Sequence, residues 1–309
     1  MKVVFMGTPD FAVPSLKCLD YNGYSIELVI TQKDRPKGRG KKVKYTPVKE
    51  KALELGLEVY QPDSINSIES IEKIKNINPD FIIVVAYGQI LKKHILDIPK
   101  YGCFNVHASL LPRYRGAAPI NWAIINGEME TGVTIMEMEE GLDTGDMILW
   151  QSIPINSEDD ATIIHDKLAI LGGDLIVKAI SGVKSGEFTK TPQNHDLFTY
   201  APMLSKEMGM INWNDKGENI INLIRGLKPW PSAYTQYKDG IVKIHKARLI
   251  DKIKDGKNGE IIKVDKNGIY VNVQDKTIIL EEIQFPGKKK LKVEEYLRGN
   301  SIETGLMLV

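Results

Sequence analysis

Short apolar runs punctuate the first half of the chain. Residues 3–6, 27–31, 81–86 and 103–107 are brief, Val-, Ile- and Phe-rich stretches that predict strands, whereas 47–56, 66–76 and 118–126 read as helices. Strands alternating with helices predict an α/β, Rossmann-like, mostly parallel sheet, which binds its ligands beyond the carboxyl ends of the strands. After the first run, Gly7 turns the chain, Thr8 is placed to cap a helix and Pro9 suits its first position. Residues 133–138 and 147–155 read as two more strands around the turn GLDTGD. Ile164, Leu168, Leu171, Leu175 and Ala179 then recur at steps of four, three, four and four, the buried face of one helix.

The pattern changes past residue 187. Over 187–206 the periodicity fades, which predicts a linker, and a helical stretch follows at 217–226. Alternating segments VKIHKARLI, NGEIIKV, IYVNV and TIILEEIQF come next, separated by Asn258-Gly259, Asn267-Gly268 and Asp275-Lys276. They predict an all-β module, a small OB-like β-barrel. The expected organisation is a domain at 1–186, a linker at 187–206 and a barrel at 207–309.

Composition narrows the possible functions. At 309 residues, 42% hydrophobic and 26% charged, the chain can bury two cores without staples. Its two cysteines, Cys18 and Cys103, have no C-x-x-C or metal-ligand spacing, so neither a disulfide framework nor a metal site is expected. With no bilayer-spanning apolar run and a first segment that reads as a strand, the expected compartment is cytoplasmic, with no membrane partner. The dinucleotide fingerprint G-x-G-x-x-G is absent, which disfavours a nicotinamide cofactor. The net charge of +1 conceals an asymmetry: residues 33–51 carry +7, residues 238–309 carry +4, and the remainder carries −10. Two basic zones on an acidic body suit a polyanion, and nucleic acid is the obvious candidate.

The chemistry concentrates in FNVHASLLPRYRGAAP, residues 104–119, and GLDTGD, residues 141–146. Asn105 and His107 are two apart, so on a strand their side chains leave from one face, and the loops beyond can bring Asp143 alongside. An amide, an imidazole and a carboxylate can move a one-carbon acyl group to an amine without a metal or a nucleophilic serine. Asn105 and a protonated His107 can donate to the carbonyl oxygen as negative charge grows there. Asp143 can favour the charged ring and relay the amine's proton. His165, on the long helix, reads as an ordinary surface or packing residue.

These residues resemble the catalytic core of the folate-dependent formyltransferases, whose Asn-x-His…SLLP…Asp pattern is matched by Asn105, His107, Ser109, Leu110, Leu111, Pro112 and Asp143. GTPDFAVP (7–14), RPKGRGKK (35–42), RYRGAAPI (113–120) and ETGVTIM (130–136) are similar to signatures of the family's tRNA-formylating branch. The resemblance is close over the first two thirds and looser beyond. It implies transfer of the formyl group of 10-formyltetrahydrofolate, as co-substrate, to the amino group of methionyl-initiator tRNA for translation initiation. It also implies a folate pocket from Ser109, Leu110, Leu111, Pro112, Gly88, Ile90 and Leu91 with the loop at 138–143, and a tRNA grip from Arg39, Lys41, Lys42 and Lys206. It makes 1–186 the catalytic domain and 207–309 the tRNA-binding one, with no obligate protein partner. The chain departs from the family at Met203, where relatives carry Lys.

Three other functions use the same features. A formyltransferase acting on a small amine, such as an amino-sugar nucleotide or glycinamide ribonucleotide, would share the trio. So would a 10-formyltetrahydrofolate hydrolase with water as acceptor. The basic loop at 35–44 and the β module favour tRNA over a small amine, the trio alone leaves hydrolysis open, and an intact trio argues against a non-enzymatic RNA-binding protein.

Overall fold

The computed structural model describes residues 1–37, 42–238 and 240–309. Two compact units emerge, interleaved in sequence: 1–116, 131–153 and 165–201 form the first, and 117–130, 154–164 and 202–309 the second.

The first unit is built on a seven-stranded sheet in the order Met147–Pro154, Glu130–Glu137, Cys103–His107, Phe81–Val85, Lys2–Gly7, Ser25–Ile30, Val59–Tyr60. The five strands from Cys103–His107 to Val59–Tyr60 pair in parallel, and Glu130–Glu137 joins antiparallel to Cys103–His107. This is the mostly parallel sheet that the alternation predicts. Lys2–Gly7 lies between Ser25–Ile30 and Phe81–Val85, so the chain switches direction of winding there, and Phe81–Val85 separates it from the strand that carries Asn105 and His107. All five residues of Phe81–Val85 are buried, as expected of a strand covered on both faces.

Alternation along Cys103–His107 separates packing from chemistry. Val106 is buried against the helix Ala161–Ser185, where a Cβ added at Gly172 would lie 2.7 Å from Val106 Cγ1. Asn105 and His107 belong to the opposite parity, facing away from that contact. The helix approaches this closely because positions 172 and 173 lack side chains; a Cβ at Gly173 would meet Cys18 Sγ at 2.9 Å.

One predicted cap is corrected. Thr8 does not cap a helix: its hydroxyl donates to Tyr87 O at 2.8 Å, tying the end of the first strand to the segment after Phe81–Val85. A 3-10 turn, Asp10–Ala12, intervenes, and the α-helix Val13–Tyr21 begins with Pro14 in its first turn. The basic segment 33–51 also holds more structure than its charge pattern predicts. Arg35–Lys37 and Lys42–Lys44 pair as an antiparallel hairpin. At its base Asp34 accepts from Lys49 Nζ at 2.5 Å and from Gln61 Nε2 at 2.9 Å.

The second unit contains an antiparallel sheet ordered Ala233–Tyr237, Gly240–Ile250, Thr277–Gln284, Gly268–Asn272, Ile261–Asp265, with Leu291–Lys292 added to Thr277–Gln284. Residues 305–309 connect its two outer strands: Gly305 N donates to Ile261 O at 2.8 Å, and Gln236 N to Val309 O at 2.6 Å. Leu308 is thereby buried with Val242, Ile244, Leu280 and Ile283. The hairpin turn predicted at Asn267-Gly268 sits one residue earlier, at Lys266-Asn267, because Asp265 pairs with Gly268.

Among the described residues no helix is long and apolar enough to cross a membrane, and no cluster of His, Cys, Asp or Glu has the geometry to hold a metal ion. Replacing Gly172 by Leu should force the helix off Val106 and destabilise the first unit by about 1–3 kcal/mol, measured as a shift in its denaturant midpoint. An unchanged midpoint would contradict the close packing.

Candidate active site

Three backbone segments meet at the carboxyl end of Cys103–His107. The strand delivers Asn105, half-buried, and His107, 6% exposed. The loop 109–116 follows directly, and the turn 141–146 leaves from the end of Glu130–Glu137, the antiparallel neighbour. Thr134, opposite His107 across the sheet, fastens the loop: its hydroxyl donates to Ser109 O at 2.7 Å and accepts from Leu111 N at 3.2 Å. Ser109 Oγ donates to Arg113 O at 2.6 Å and closes the loop on itself.

The loop then turns back over the imidazole. His107 Nε2 lies 2.9 Å from Tyr114 O. A carbonyl oxygen only accepts, so Nε2 carries the hydrogen and Nδ1 is the nitrogen left for chemistry. Nδ1 faces Asp143 Oδ2 at 3.7 Å, and the Asp143 side chain is 14% exposed. The same Oδ2 accepts from Gly116 N at 2.8 Å.

Asp143 sits at φ 52°, a left-handed conformation that Asp tolerates better than most residues. Gly116 also has a positive φ, 112°, and a Cβ there would meet Ala201 O at 2.9 Å. Only glycine presents its N–H to the carboxylate at this place.

The predicted trio is therefore assembled in part by direct contact. His107 and Asp143 face each other, and Asn105 lies two residues upstream on the same face of the strand. The predicted folate-contact residues are dispersed. Ser109 is fully buried with its hydroxyl engaged, Leu111 is buried, and Leu110 and Pro112 are half-buried. Gly88 is exposed and Ile90 is 80% exposed, whereas Leu91 packs in the core with Val84, Tyr87 and Ile95. Among the described residues, Gln32 Nε2 beside Gly88, Tyr87 Oη and Thr144 Oγ1 next to Asp143 are buried polar atoms without a partner. Of the predicted tRNA contacts, Arg39 and Lys41 lie outside the described residues, Lys42 opens the second strand of the basic hairpin, and Lys206 is exposed in the second unit.

Residues 191–201 contribute contacts that sequence reasoning missed. Thr191 exchanges two backbone hydrogen bonds with Met147, each 2.8 Å, and Tyr200–Ala201 pairs in parallel with Arg115–Gly116. Between them Gln193 is buried, bonded to both Arg115 and the 143–145 backbone. Burial pulls the Arg115 guanidinium below its ordinary range, and the charges of Asp143 and Glu139 oppose that shift. The available signal was a run of hydrogen-bonding side chains, Thr191, Gln193, Asn194 and His195, in a stretch without apolar period.

Two family models match the chain. The one described as formyl transferase covers residues 1–180, and the formyl transferase C-terminal domain covers residues 203–301. A methionyl-tRNA formyltransferase of Clostridium novyi is 56% identical over 98% of this chain and 98% of its own. Another, of Clostridium acetobutylicum, is 55% identical over 100% of this chain and 99% of its own. Among solved structures, an N-formyltransferase from Helicobacter canadensis in complex with folinic acid and dTDP-3-aminofucose superposes with a TM-score of 0.69 at 23% identity, over 91% of this chain and 98% of its own. That last likeness is one of fold. The long relatives, the two family models and the arrangement around His107 agree: this chain belongs to the formyl transferase family.

Proposed function

We propose that the enzyme transfers the formyl group of 10-formyltetrahydrofolate to the amino group of methionyl-initiator tRNA, and that Asn105, His107 and Asp143 carry the chemistry. The observation that carries this reading is His107 Nδ1 facing Asp143 Oδ2 at 3.7 Å while Nε2 is held by Tyr114 O. Full-length identity of 55–56% to methionyl-tRNA formyltransferases supports the acceptor.

In this reading the uncharged amine attacks the formyl carbon and forms the new C–N bond. Negative charge develops on the formyl oxygen, where the Asn105 amide and a protonated His107 Nδ1 donate to it. Asp143 stabilises the charged ring and takes the amine's proton, directly or through one water. The bond from the formyl carbon to the folate nitrogen then breaks, that nitrogen receives a proton, and formylated amine and tetrahydrofolate leave. The 3.7 Å gap exceeds a hydrogen bond, so Nδ1 and Oδ2, each held in place, both keep capacity for a substrate atom.

The formyl donor's flat, amide-edged ring suits the region bounded by 86–91, 109–112 and 138–143. Gln32 Nε2 and Thr144 Oγ1 are two buried polar atoms without a partner among the described residues that its edge would satisfy. We assign the acceptor to Arg39, Lys41, Lys42 and Lys206, with 1–186 as catalytic domain, 187–206 as a linker whose residues 191–201 fold onto that domain, and 207–309 as RNA-binding module, acting in the cytoplasm. The pairing of 35–37 with 42–44 supports the assignment of Lys42, because paired basic strands anchored at Asp34 and Lys49 meet a phosphate backbone at lower entropic cost than an unpaired segment.

Two outcomes are expected. Asn105→Ala, His107→Ala and Asp143→Ala, each folded, should lower kcat by about 100- to 1000-fold. Charged initiator tRNA, charged elongator tRNA and free methionine, offered in parallel with radiolabelled donor, give the assay; near-normal turnover by the His107 or Asp143 variant would refute the mechanism. Combined Arg39→Ala and Lys42→Ala should raise KM for tRNA, leave KM for the folate unchanged, and flatten the log–log salt dependence by about 0.9 per lost duplex phosphate contact. An equal rise in both KM values would refute the assignment of the hairpin.

A further inference from the structure

The Asp143 turn is held by a single buried amide from a distant part of the chain. Gln193 is 5% exposed, the one buried position among residues 191–200. Its oxygen accepts from Arg115 Nε at 3.0 Å and Arg115 Nη2 at 2.6 Å. Its nitrogen donates to Asp143 O at 2.9 Å and Gly145 O at 2.7 Å. A primary amide has two N–H groups and two lone pairs on oxygen, so every hydrogen-bonding position of this side chain is used. The orientation is also fixed, since a guanidinium accepts nothing and a carbonyl donates nothing.

Arg115 is in turn built into the same loop that supplies Gly116 N to Asp143 Oδ2. Its Nη2 also meets His195 Nδ1 at 3.2 Å, and the guanidinium lies over the Phe198 ring at 5.3 Å. Asp143 is thereby gripped twice, at its carboxylate by Gly116 and at its backbone carbonyl by Gln193, with Arg115 joining the two grips. The grip is needed because Asp143 occupies a left-handed conformation, φ 52°, which persists only where surrounding contacts hold it.

We infer that Gln193, seated by Arg115, is a positioning residue for formyl transfer, which fixes the 143–145 backbone so that the Asp143 carboxylate stays opposed to His107. The inference rests on the reading of Asp143 given above. Gln193 touches neither His107 nor the reacting atoms, and acts through the turn alone.

Gln193→Glu is the sharpest test, because it preserves size and the partnership with Arg115 but removes both donors and sets a negative charge against two carbonyl oxygens. Gln193→Ala provides a second variant that lacks the charge. Both should lower kcat by about 10- to 100-fold, the scale of a reacting group displaced by about 1 Å, with KM for folate and tRNA nearly unchanged. In an Asp143→Ala background the same substitutions should cost nothing further, because the group they position is gone. Amide hydrogen exchange of residues 141–146 should accelerate in both variants.

A kcat loss that multiplies with that of Asp143→Ala, a loss confined to KM, or unchanged exchange of 141–146 would overturn the inference. If Asp143→Ala turns over normally, the catalytic reading of Asp143 falls and the inference with it. That result is distinct from a failure of the clamp, which the exchange measurement reads without reference to activity.

Discussion

The hydrogen bond from His107 Nε2 to Tyr114 O is the constraint on which the site depends. An imidazole free to rotate offers either nitrogen to a substrate and either to a carboxylate. Pinned by a buried carbonyl, it offers only Nδ1, on the side where Asp143 stands. The pin comes from a loop that must reverse direction within seven residues of the histidine, and that reversal is secured by Thr134, Ser109 and Gly116. Most of these bonds are local or cross-strand, so the carboxyl end of a rigid interior strand presents the site with little freedom left to lose when substrates bind.

The sheet places its demands elsewhere. Val106 must meet a helix with no side chain at position 172, so the strand is held from behind at close range while its other parity is left for chemistry. Packing and function thus share five residues: Phe104 and Val106 pack on one face, and on the other Cys103 is buried in the core while Asn105 and His107 are left for chemistry. The acidic turn lacks such backing and depends on a strap, residues 191–201, that enters from the far end of the long helix.

What could be read in advance follows from which physical signals are periodic. Strand alternation placed Asn105 and His107 on one face, and the helical stripe from Ile164 to Ala179 was visible because burial repeats along a regular element. The parallel sheet followed from strands and helices taking turns. Gln193 had no such signal: one buried amide in an exposed loop leaves no period, and its partners lie 50 and 78 positions away. The pairing of 35–37 with 42–44 was hidden for the opposite reason, since these strands are short and charged where strand propensity favours branched apolar residues. Thr8 misled because a threonine ahead of a proline has the form of a cap, yet a carbonyl from Tyr87 lay nearer than any helix amide. Asp143 was placed beside the histidine by resemblance and loop length; that its carboxylate is also bound by Gly116 N needed coordinates.

The most direct measurement is a crystal structure with a non-reactive formyl donor bound. The formyl oxygen should lie within about 3 Å of both Asn105 Nδ2 and His107 Nδ1, with Asp143 within reach of the opposite face of the formyl carbon and Nε2 still bonded to Tyr114 O. A donor whose formyl group sits away from Nδ1, or a ring that has rotated to offer Nε2 instead, would contradict the account.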